Sequence, residues 1–128
     1  MKILLDTCTF LWIIWDAKEL SDAARELYAD PANEIHLSTV SCWEISLKHG
    51  LGRLPLPAHP LEIVTEQRRK HSIASLALDE ESALRVGSLP PVHRDPFDRM
   101  LISQAVTHGM TILTPDPAFR AYAVRTRW

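Results

Sequence analysis

Short apolar segments alternate with helical segments along the whole sequence, and this alternation limits the fold more than any other feature. The segments that read as strands are Lys2–Leu5, Ile35–Ser38, Ile73–Leu78, Thr111–Thr114 and an edge strand over Ala123–Thr126. Helices are expected between them, over residues 8–15, Asp22–Tyr28, Val40–His49, Leu61–His71, a short stretch from Asp79 and a long one from Asp95 to Gly109. Such alternation predicts an α/β fold with a mostly parallel sheet and helices on both faces.

The length and composition of the chain are those of one globular domain. It has 128 residues, of which 46% are hydrophobic and 23% charged, so we expect one domain over residues 1–128. No apolar run approaches the roughly 18 residues of a membrane-spanning helix, and Asp6 interrupts the apolar start before a signal peptide could form. We therefore expect a cytoplasmic protein in which Cys8 and Cys42 are reduced.

Two aspartates follow strands whose carboxyl ends should meet at one edge of the sheet. Asp6 comes directly after the first strand, and Asp116 lies two residues after Thr114, the end of the fourth. In parallel sheets, ligands bind beyond the carboxyl ends of the strands, where the strand order reverses. Each aspartate also precedes a helical segment and could serve as its N-cap. For either residue taken alone, capping is the simpler explanation.

Asp98 is harder to explain as a cap, because it falls on the apolar side of its helix. A rotation of about 100° per residue places Leu101 and Ile102 on the same side as Asp98. The opposite side carries polar residues: Arg99, Ser103, Gln104, Thr107 and His108. A carboxylate that faces the core needs a cation or several donors. Asp95 is the expected N-cap, and Asp98 could instead complete a capping arrangement with it.

Glu44 lies at the border of the apolar face of its helix, four residues before Lys48. It could form an ordinary surface ion pair with Lys48, or it could reach inward over the end of a strand; the spacing favours neither. Four acids from four separate elements then point to one sheet edge: Asp6, Glu44, Asp98 and Asp116. Such a cluster suggests a site for Mg²⁺ or Mn²⁺ and phosphate chemistry. The six histidines show no metal-ligand spacing.

Four blocks of the sequence form a recognisable pattern. They are Ile3-Leu4-Leu5-Asp6-Thr7 with Leu11-Trp12, Ser41-Cys42-Trp43-Glu44-Ile45, Asp95-Pro96-Phe97-Asp98-Arg99-Met100-Leu101-Ile102 with Gln104-Ala105, and Ile112-Leu113-Thr114-Pro115-Asp116-Pro117-Ala118-Phe119. In this order they resemble the PIN-domain family, specifically the VapC-type toxins of bacterial toxin–antitoxin pairs. The resemblance covers essentially the whole chain, and it implies a compact α/β fold with a parallel sheet of about five strands.

The resemblance also implies an activity, a ligand set and partners. It implies a Mg²⁺- or Mn²⁺-dependent endoribonuclease, in which carboxylate-bound metal activates water to hydrolyse RNA phosphodiesters. The family's four acidic positions are matched by Asp6, Glu44, Asp98 and Asp116. Asp6 and Asp98 match its principal metal ligands, and Glu44 and Asp116 would complete the site directly or through water. Family members usually form homodimers and are silenced by a cognate VapB-like antitoxin, which inserts a C-terminal segment into the active-site groove.

Two positions depart from the family's pattern. Cys8 stands where this subgroup commonly has a histidine, which puts any supporting role of that histidine in doubt. Pro115 stands where a basic residue often follows the fourth strand, which weakens a phosphate contact at that position. Nearby arginines, Arg94 and Arg99, could hold phosphates instead, in keeping with the mildly basic C-terminal third of the chain.

Other functions remain open at this stage. A nuclease of the same fold could act on single-stranded DNA or could mature an RNA. In a non-catalytic binding module, the acids would serve only as helix caps. In a third alternative, the apolar Phe10–Trp15 segment would serve only as a docking surface.

Overall fold

Five strands and six helices make up the structure, a computed structural model that describes residues 1–128. The strands are β1 (Lys2–Leu5), β2 (Glu34–Ser38), β3 (Ala74–Leu76), β4 (Thr111–Leu113) and β5 (Arg125–Arg127). The helices are α1 (Thr7–Trp15), α2 (Asp22–Ala29), α3 (Thr39–Gly50), α4 (Pro60–Lys70), α5 (Glu80–Arg85) and α6 (Pro96–His108). Two 3₁₀ segments, Val86–Ser88 and Pro117–Ala121, complete the regular structure.

All five strands belong to one parallel sheet with the order β3-β2-β1-β4-β5. The chain builds outward from β1 to β3 on one side and then crosses to the other side of β1 for β4 and β5. The strand order therefore reverses between β1 and β4, where Leu5 lies opposite Leu113. Beyond these two residues the chain continues into Asp6 and Thr114, at the position where α/β sheets bind their ligands. The predicted fold class is confirmed.

The sheet separates two apolar cores, because successive side chains of a strand point to opposite faces. Ile3 and Leu5 of β1 belong to one core, and Leu4 belongs to the other. The first core is closed by buried residues of α1, α2, α3 and α4, namely Phe10, Leu11, Ile13, Ala24, Ile45, Ile63 and Val64. The second is closed mainly by α6 and the Pro117–Ala121 segment, through Leu101, Ile102, Ala105 and Phe119. Helices therefore cover both faces of the sheet, as predicted.

Both edge strands differ from their predicted bounds. A strand over Ile73–Leu78 was expected, but β3 is limited to Ala74–Leu76. The chain turns away after it toward α5, and the Leu78 N–H donates to Thr39 Oγ1 at 3.1 Å rather than to a strand. The last strand covers Arg125–Arg127 instead of Ala123–Thr126. An edge strand is paired on one side only, so its ends depend on local contacts that an apolar pattern does not record.

Part of the polar side of α6 is buried, although His108 on the same side is exposed. Ser103 and Gln104 are at most 1% exposed. Ser103 Oγ donates to the Ser82 carbonyl of α5 at 2.6 Å, and Gln104 bonds with Ser38 and with the Ala77 carbonyl. Ser103 packs against α5, and Gln104 lies against the end of β2 and the chain after β3. These two polar side chains therefore have protein partners in place of water.

The apolar Phe10–Trp15 segment is mostly used inside the molecule. Phe10, Leu11 and Ile13 lie in the first core, and Trp12 packs against Trp128 with ring centroids 5.7 Å apart. Trp15 is the exception, with 45% of its surface exposed. A surface that served only for docking would leave more of this segment exposed.

Cys8 and Cys42 are both free thiols, in line with the sequence-based expectation. None of the six helices is both long enough and apolar enough to cross a membrane.

Gly109 ends α6 in the left-handed conformation, with a φ of 64° and its N–H bonded to the Ala105 carbonyl. Replacing Gly109 by Ala should lower the free energy of unfolding by about 1 kcal/mol. A Cβ there would meet no atom within 4 Å, so the cost is one of backbone conformation alone. Chemical denaturation would measure the difference.

Gly50 provides the matched control, because it is the last residue of α3, has no positive φ, and has equally open surroundings. Gly50→Ala should be neutral or slightly stabilising. Equal losses in the two variants would contradict this account of the α6 terminus.

Candidate metal centre

Asp6 is fixed at the end of β1 by three donors. Its Oδ1 accepts the Thr7 N–H at 2.7 Å, which makes it the N-cap of α1. Its Oδ2 accepts the Thr114 hydroxyl at 2.8 Å and is 3.5 Å from the Cys8 sulfur. The capping explanation from the sequence is therefore confirmed, but the bond to Thr114 also ties Asp6 to the end of β4. Burial raises the pKa of Asp6, although these hydrogen bonds oppose the change.

Glu44 both reaches inward and pairs with Lys48, so each of its two sequence-based explanations holds in part. The residue is 5% exposed, and its Oε2 forms an ion pair with Lys48 Nζ. Its Oε1 is buried and has no hydrogen-bond partner. Buried polar atoms are nearly always paired, so an unpaired carboxylate oxygen indicates a missing cation, donor or water.

Asp98 lies in the first turn of α6 but does not cap it. Asp95 caps the helix as predicted, and its Oδ1 accepts the N–H groups of Phe97 at 2.9 Å and Asp98 at 3.1 Å. The side chain of Asp98 is 13% exposed, and its Oδ2 lies 2.8 Å from Nε2 of His93. Asp98 Oδ1 has no partner.

His93 is a site residue that the sequence analysis missed. It stands two residues before the N-cap Asp95, in a loop whose path the sequence does not specify. Its backbone N–H donates to the Tyr122 hydroxyl at 3.0 Å, which fixes the loop beside Asp98. The one feature of the sequence that could have indicated His93 is its position, because a residue just before an N-cap can turn back over the first helical turn.

Arg99 also holds this loop in place through hydrogen bonds. Its guanidinium donates to the carbonyls of Pro90 at 2.8 Å and Val86 at 3.2 Å, and to the Tyr122 hydroxyl at 3.0 Å. Arg94 is exposed and has no partner in the structure. Of the two arginines named from the sequence, Arg99 therefore donates to protein acceptors, and Arg94 is free to bind a ligand.

Asp116 caps the Pro117–Ala121 segment, as its sequence position predicted, and also faces Asp98. Its Oδ1 accepts the Ala118 N–H at 2.9 Å, while its own N–H donates to Thr114 Oγ1 at 3.1 Å. One ligand atom each of His93, Asp98 and Asp116 lies within 4.8 Å of the others. Asp6 does not belong to this close group, but its charge, like that of Glu44, raises the pKa of Asp98.

The electrostatics of the site centre on Asp98. Burial is the largest influence and raises its pKa to about 7, with further increases from Asp6, Asp95 and Glu44 and an opposing effect from His93. Lys48 is the nearby cation: its pKa is raised by Glu44 first and also by Asp95 and Asp98. Burial first, and the charges of the neighbouring acids second, therefore favour a protonated Asp98 near neutral pH.

The donor set fits a hard divalent cation. One oxygen on each of three carboxylates has no donor: Glu44 Oε1, Asp98 Oδ1 and Asp116 Oδ2. Carboxylate oxygens are the ligands that Mg²⁺ and Mn²⁺ prefer. Nε2 of His93 lies 2.8 Å from Asp98 Oδ2 and would orient that carboxylate, as neighbouring groups commonly do for metal ligands.

Comparisons with known proteins agree with the fold. The model of the PIN domain family matches residues 3–125. Ribonuclease VapC16 of Mycobacterium tuberculosis is 32% identical over 63 residues, which cover 49% of this chain and 45% of that protein. The match thus spans less than half the length of that relative.

Solved structures share the fold over nearly the full chain at low identity. A DNA-bound VapBC complex from Salmonella typhimurium superposes with a TM-score of 0.71 at 20% identity and covers 99% of this chain and 97% of that one. A VapBC2 complex from Rickettsia felis, bound to a DNA fragment of its promoter, gives a TM-score of 0.66 at 15% identity, with 99% and 98% covered.

The raised pKa of Asp98 predicts how the metal-free chain responds to pH. Between about pH 4 and 7, the folded chain keeps a proton that the unfolded chain has released. Its free energy of unfolding should therefore fall as pH rises through this window, by at most about 1.4 kcal/mol per pH unit for one proton. Urea denaturation in EDTA would measure the slope.

Asp98→Asn removes the titrating group and should flatten part of that slope, leaving the smaller contribution of Asp6. The variant should be at least as stable as the wild type at pH 7. Identical pH profiles for the two proteins would show that Asp98 is not crowded in the folded state.

Proposed function

This chain belongs to the PIN-domain family, and on that basis we propose that it is a divalent-metal-dependent endoribonuclease, the toxin of a toxin–antitoxin pair. The observation that carries the proposal is the convergence of His93, Asp98 and Asp116, whose ligand atoms lie within 4.8 Å of one another, together with the buried, unpaired Oε1 of Glu44. A purely structural set of helix caps would explain Asp6 and Asp116, but it explains neither the unpaired oxygen of Glu44 nor the burial of Asp98. The partial match to a protein named as a ribonuclease supports RNA as the substrate.

Asp6 and Asp98 are the proposed principal ligands of Mg²⁺ or Mn²⁺, with Glu44 and Asp116 completing the site directly or through water. When bound, the cation would lower the pKa of a coordinated water and stabilise charge on a phosphodiester. The chain's own contribution is to hold the ligands in place. Thr114 and the Thr7 N–H orient Asp6, and His93 orients Asp98.

Positive groups beside the acids are the proposed phosphate contacts. Arg94 is exposed and lies one residue from His93, so it can reach a strand of RNA that crosses the site. Arg99, also named from the sequence, would act indirectly, because its bonds hold the loop that carries both residues. Lys48 balances the negative charge of Glu44 within the site.

The proposal includes the setting in which the enzyme acts. Similar folds occur in complexes whose names pair a VapC-type chain with its VapB partner, which supports a VapB-like antitoxin as the natural inhibitor. A homodimer and a cytoplasmic location are proposed with it. A nuclease that acts on single-stranded DNA, or one that matures an RNA, is the alternative within the same family.

Asp98→Asn should reduce Mn²⁺-dependent RNA cleavage by at least about 100-fold, because it removes a ligand charge while it keeps the shape of the side chain. Cleavage of a mixed pool of cellular RNA, followed by sequencing of the new ends, would measure the loss whichever RNA sequence the enzyme cuts. EDTA should abolish the wild-type activity.

Asp79→Asn is the matched control, because Asp79 caps α5 and pairs with His108 at the far end of α6. Asn caps helices well, so this variant should cleave at the wild-type rate. Equal cleavage by the Asp98 variant and the wild type would overturn the assignment of the site. Cleavage of matched single-stranded DNA in preference to RNA would favour the alternative substrate.

A further inference from the structure

A groove between α3 and α4 opens beside the acidic site. It encloses about 420 Å³, and its lining includes Trp43, Ser46, Leu61, Thr65, Arg68 and Ser75. No carboxylate is among the residues that line it. The groove therefore differs in character from the acidic site: it combines one large aromatic ring, apolar side chains such as Leu61 and Val64, hydroxyl groups and a cation.

Trp43 connects the groove to the acids. Its indole packs edge-on against Phe97, with ring centroids 4.9 Å apart and an interplanar angle of 70°. Trp43 directly precedes Glu44, and Phe97 directly precedes Asp98. Even so, 62% of Trp43 is exposed. The ring is thus held on one side and open to solvent on the other; it directly precedes Glu44 in the chain and packs on Phe97, the residue before Asp98.

Positive charge lies at the other end of the groove. α4 ends in Arg68-Arg69-Lys70, and none of the three side chains pairs with a carboxylate. Arg68 donates to the Ile73 carbonyl at 3.2 Å, which keeps its guanidinium beside the groove. A polyanion that approaches the acidic site would find compensating charge here.

We propose that this groove binds an unpaired RNA base by stacking on Trp43, and so places the adjoining phosphodiester over the acids. The inference rests on the proposed ribonuclease function and extends it to a substrate class, single-stranded RNA. Stacking on an aromatic side chain requires a base that has left its helix. Arg68, the one cation of the α4 end that lines the groove, contacts the backbone on the far side of that base.

A base suits the lining better than an apolar helix of a protein partner does. Ser46 and Ser75 offer hydroxyl groups to the polar edge of a base, and Arg68 offers a cation; the Thr65 hydroxyl already donates to the Leu61 carbonyl at 2.7 Å. An apolar helix in the same place would bury the Ser46 and Ser75 hydroxyls and the charge of Arg68 without offering them a partner, which is unfavourable.

The test measures binding of a short labelled oligouridine RNA to the full chain in EDTA, where no cleavage occurs. Trp43→Ala should weaken binding about tenfold, the usual effect of losing one base-stacking ring. Trp43→Phe keeps a ring and should retain most of the affinity. Leu84→Ala is the control, because Leu84 is 73% exposed on α5, outside the groove, and should bind RNA normally.

Tryptophan fluorescence gives a second readout that a merely structural role would not change. RNA should quench the wild-type emission, and Trp43→Phe should lose most of that quenching although it still binds. Duplex RNA should bind more weakly than the single strand and should not respond to Trp43→Ala.

The other outcomes are distinguishable. Unchanged RNA affinity in Trp43→Ala, with Mn²⁺-dependent cleavage intact in the wild type, would overturn the stacking site and leave the proposed function standing. Unchanged affinity together with altered self-association in Trp43→Ala would overturn it in favour of a protein interface. A wild-type chain that neither binds nor cleaves RNA would overturn both proposals.

Discussion

Burial of carboxylates in a poorly solvated space, together with the repulsion between them, dominates the electrostatics at the carboxyl edge of the sheet. Burial contributes most to the free energy of keeping Asp6 and Asp98 ionised, and the charge of Glu44 adds to it in both cases. Each acid is steadied by at least one neighbour: Asp6 by Thr114, Glu44 by Lys48 and Asp98 by His93. These contacts fix the side chains but leave oxygens on Glu44 and Asp98 without a donor. A divalent cation would relieve the repulsion and satisfy those oxygens together.

The fold concentrates the acids through its topology. Because the strand order reverses between β1 and β4, the chain segments that follow these strands diverge around a common crevice. Asp6 and Asp116 enter it from those segments, and the first turn of α6 supplies Asp98. The loop before α6 is held by the bonds that Arg99 makes to its carbonyls, so the position of His93 depends on a residue inside the following helix.

The sequence predicted the elements and the four acids for reasons that are local. An apolar run that stops at a polar residue marks a buried strand, and Asp95 followed by proline marks a helix start; both features survive in the structure. The sequence did not predict His93, because the contact of His93 with Asp98 depends on a loop path that Arg99 and Tyr122 set. The burial of Gln104 was missed for a similar reason, since it depends on contacts with Ser38 and Ala77, which are distant in the sequence. Contacts between distant segments are not encoded in the periodicity of either one.

The central claim is that the acids are crowded because they bind a metal. The most direct test is Mn²⁺ binding to the purified chain, freed of any bound partner and followed by electron paramagnetic resonance, with Asp98→Asn beside the wild type. The account predicts saturable binding by the wild type and an affinity at least about tenfold lower in the variant. No binding by the wild type, or equal binding by both proteins, would contradict it and would return the acids to helix capping.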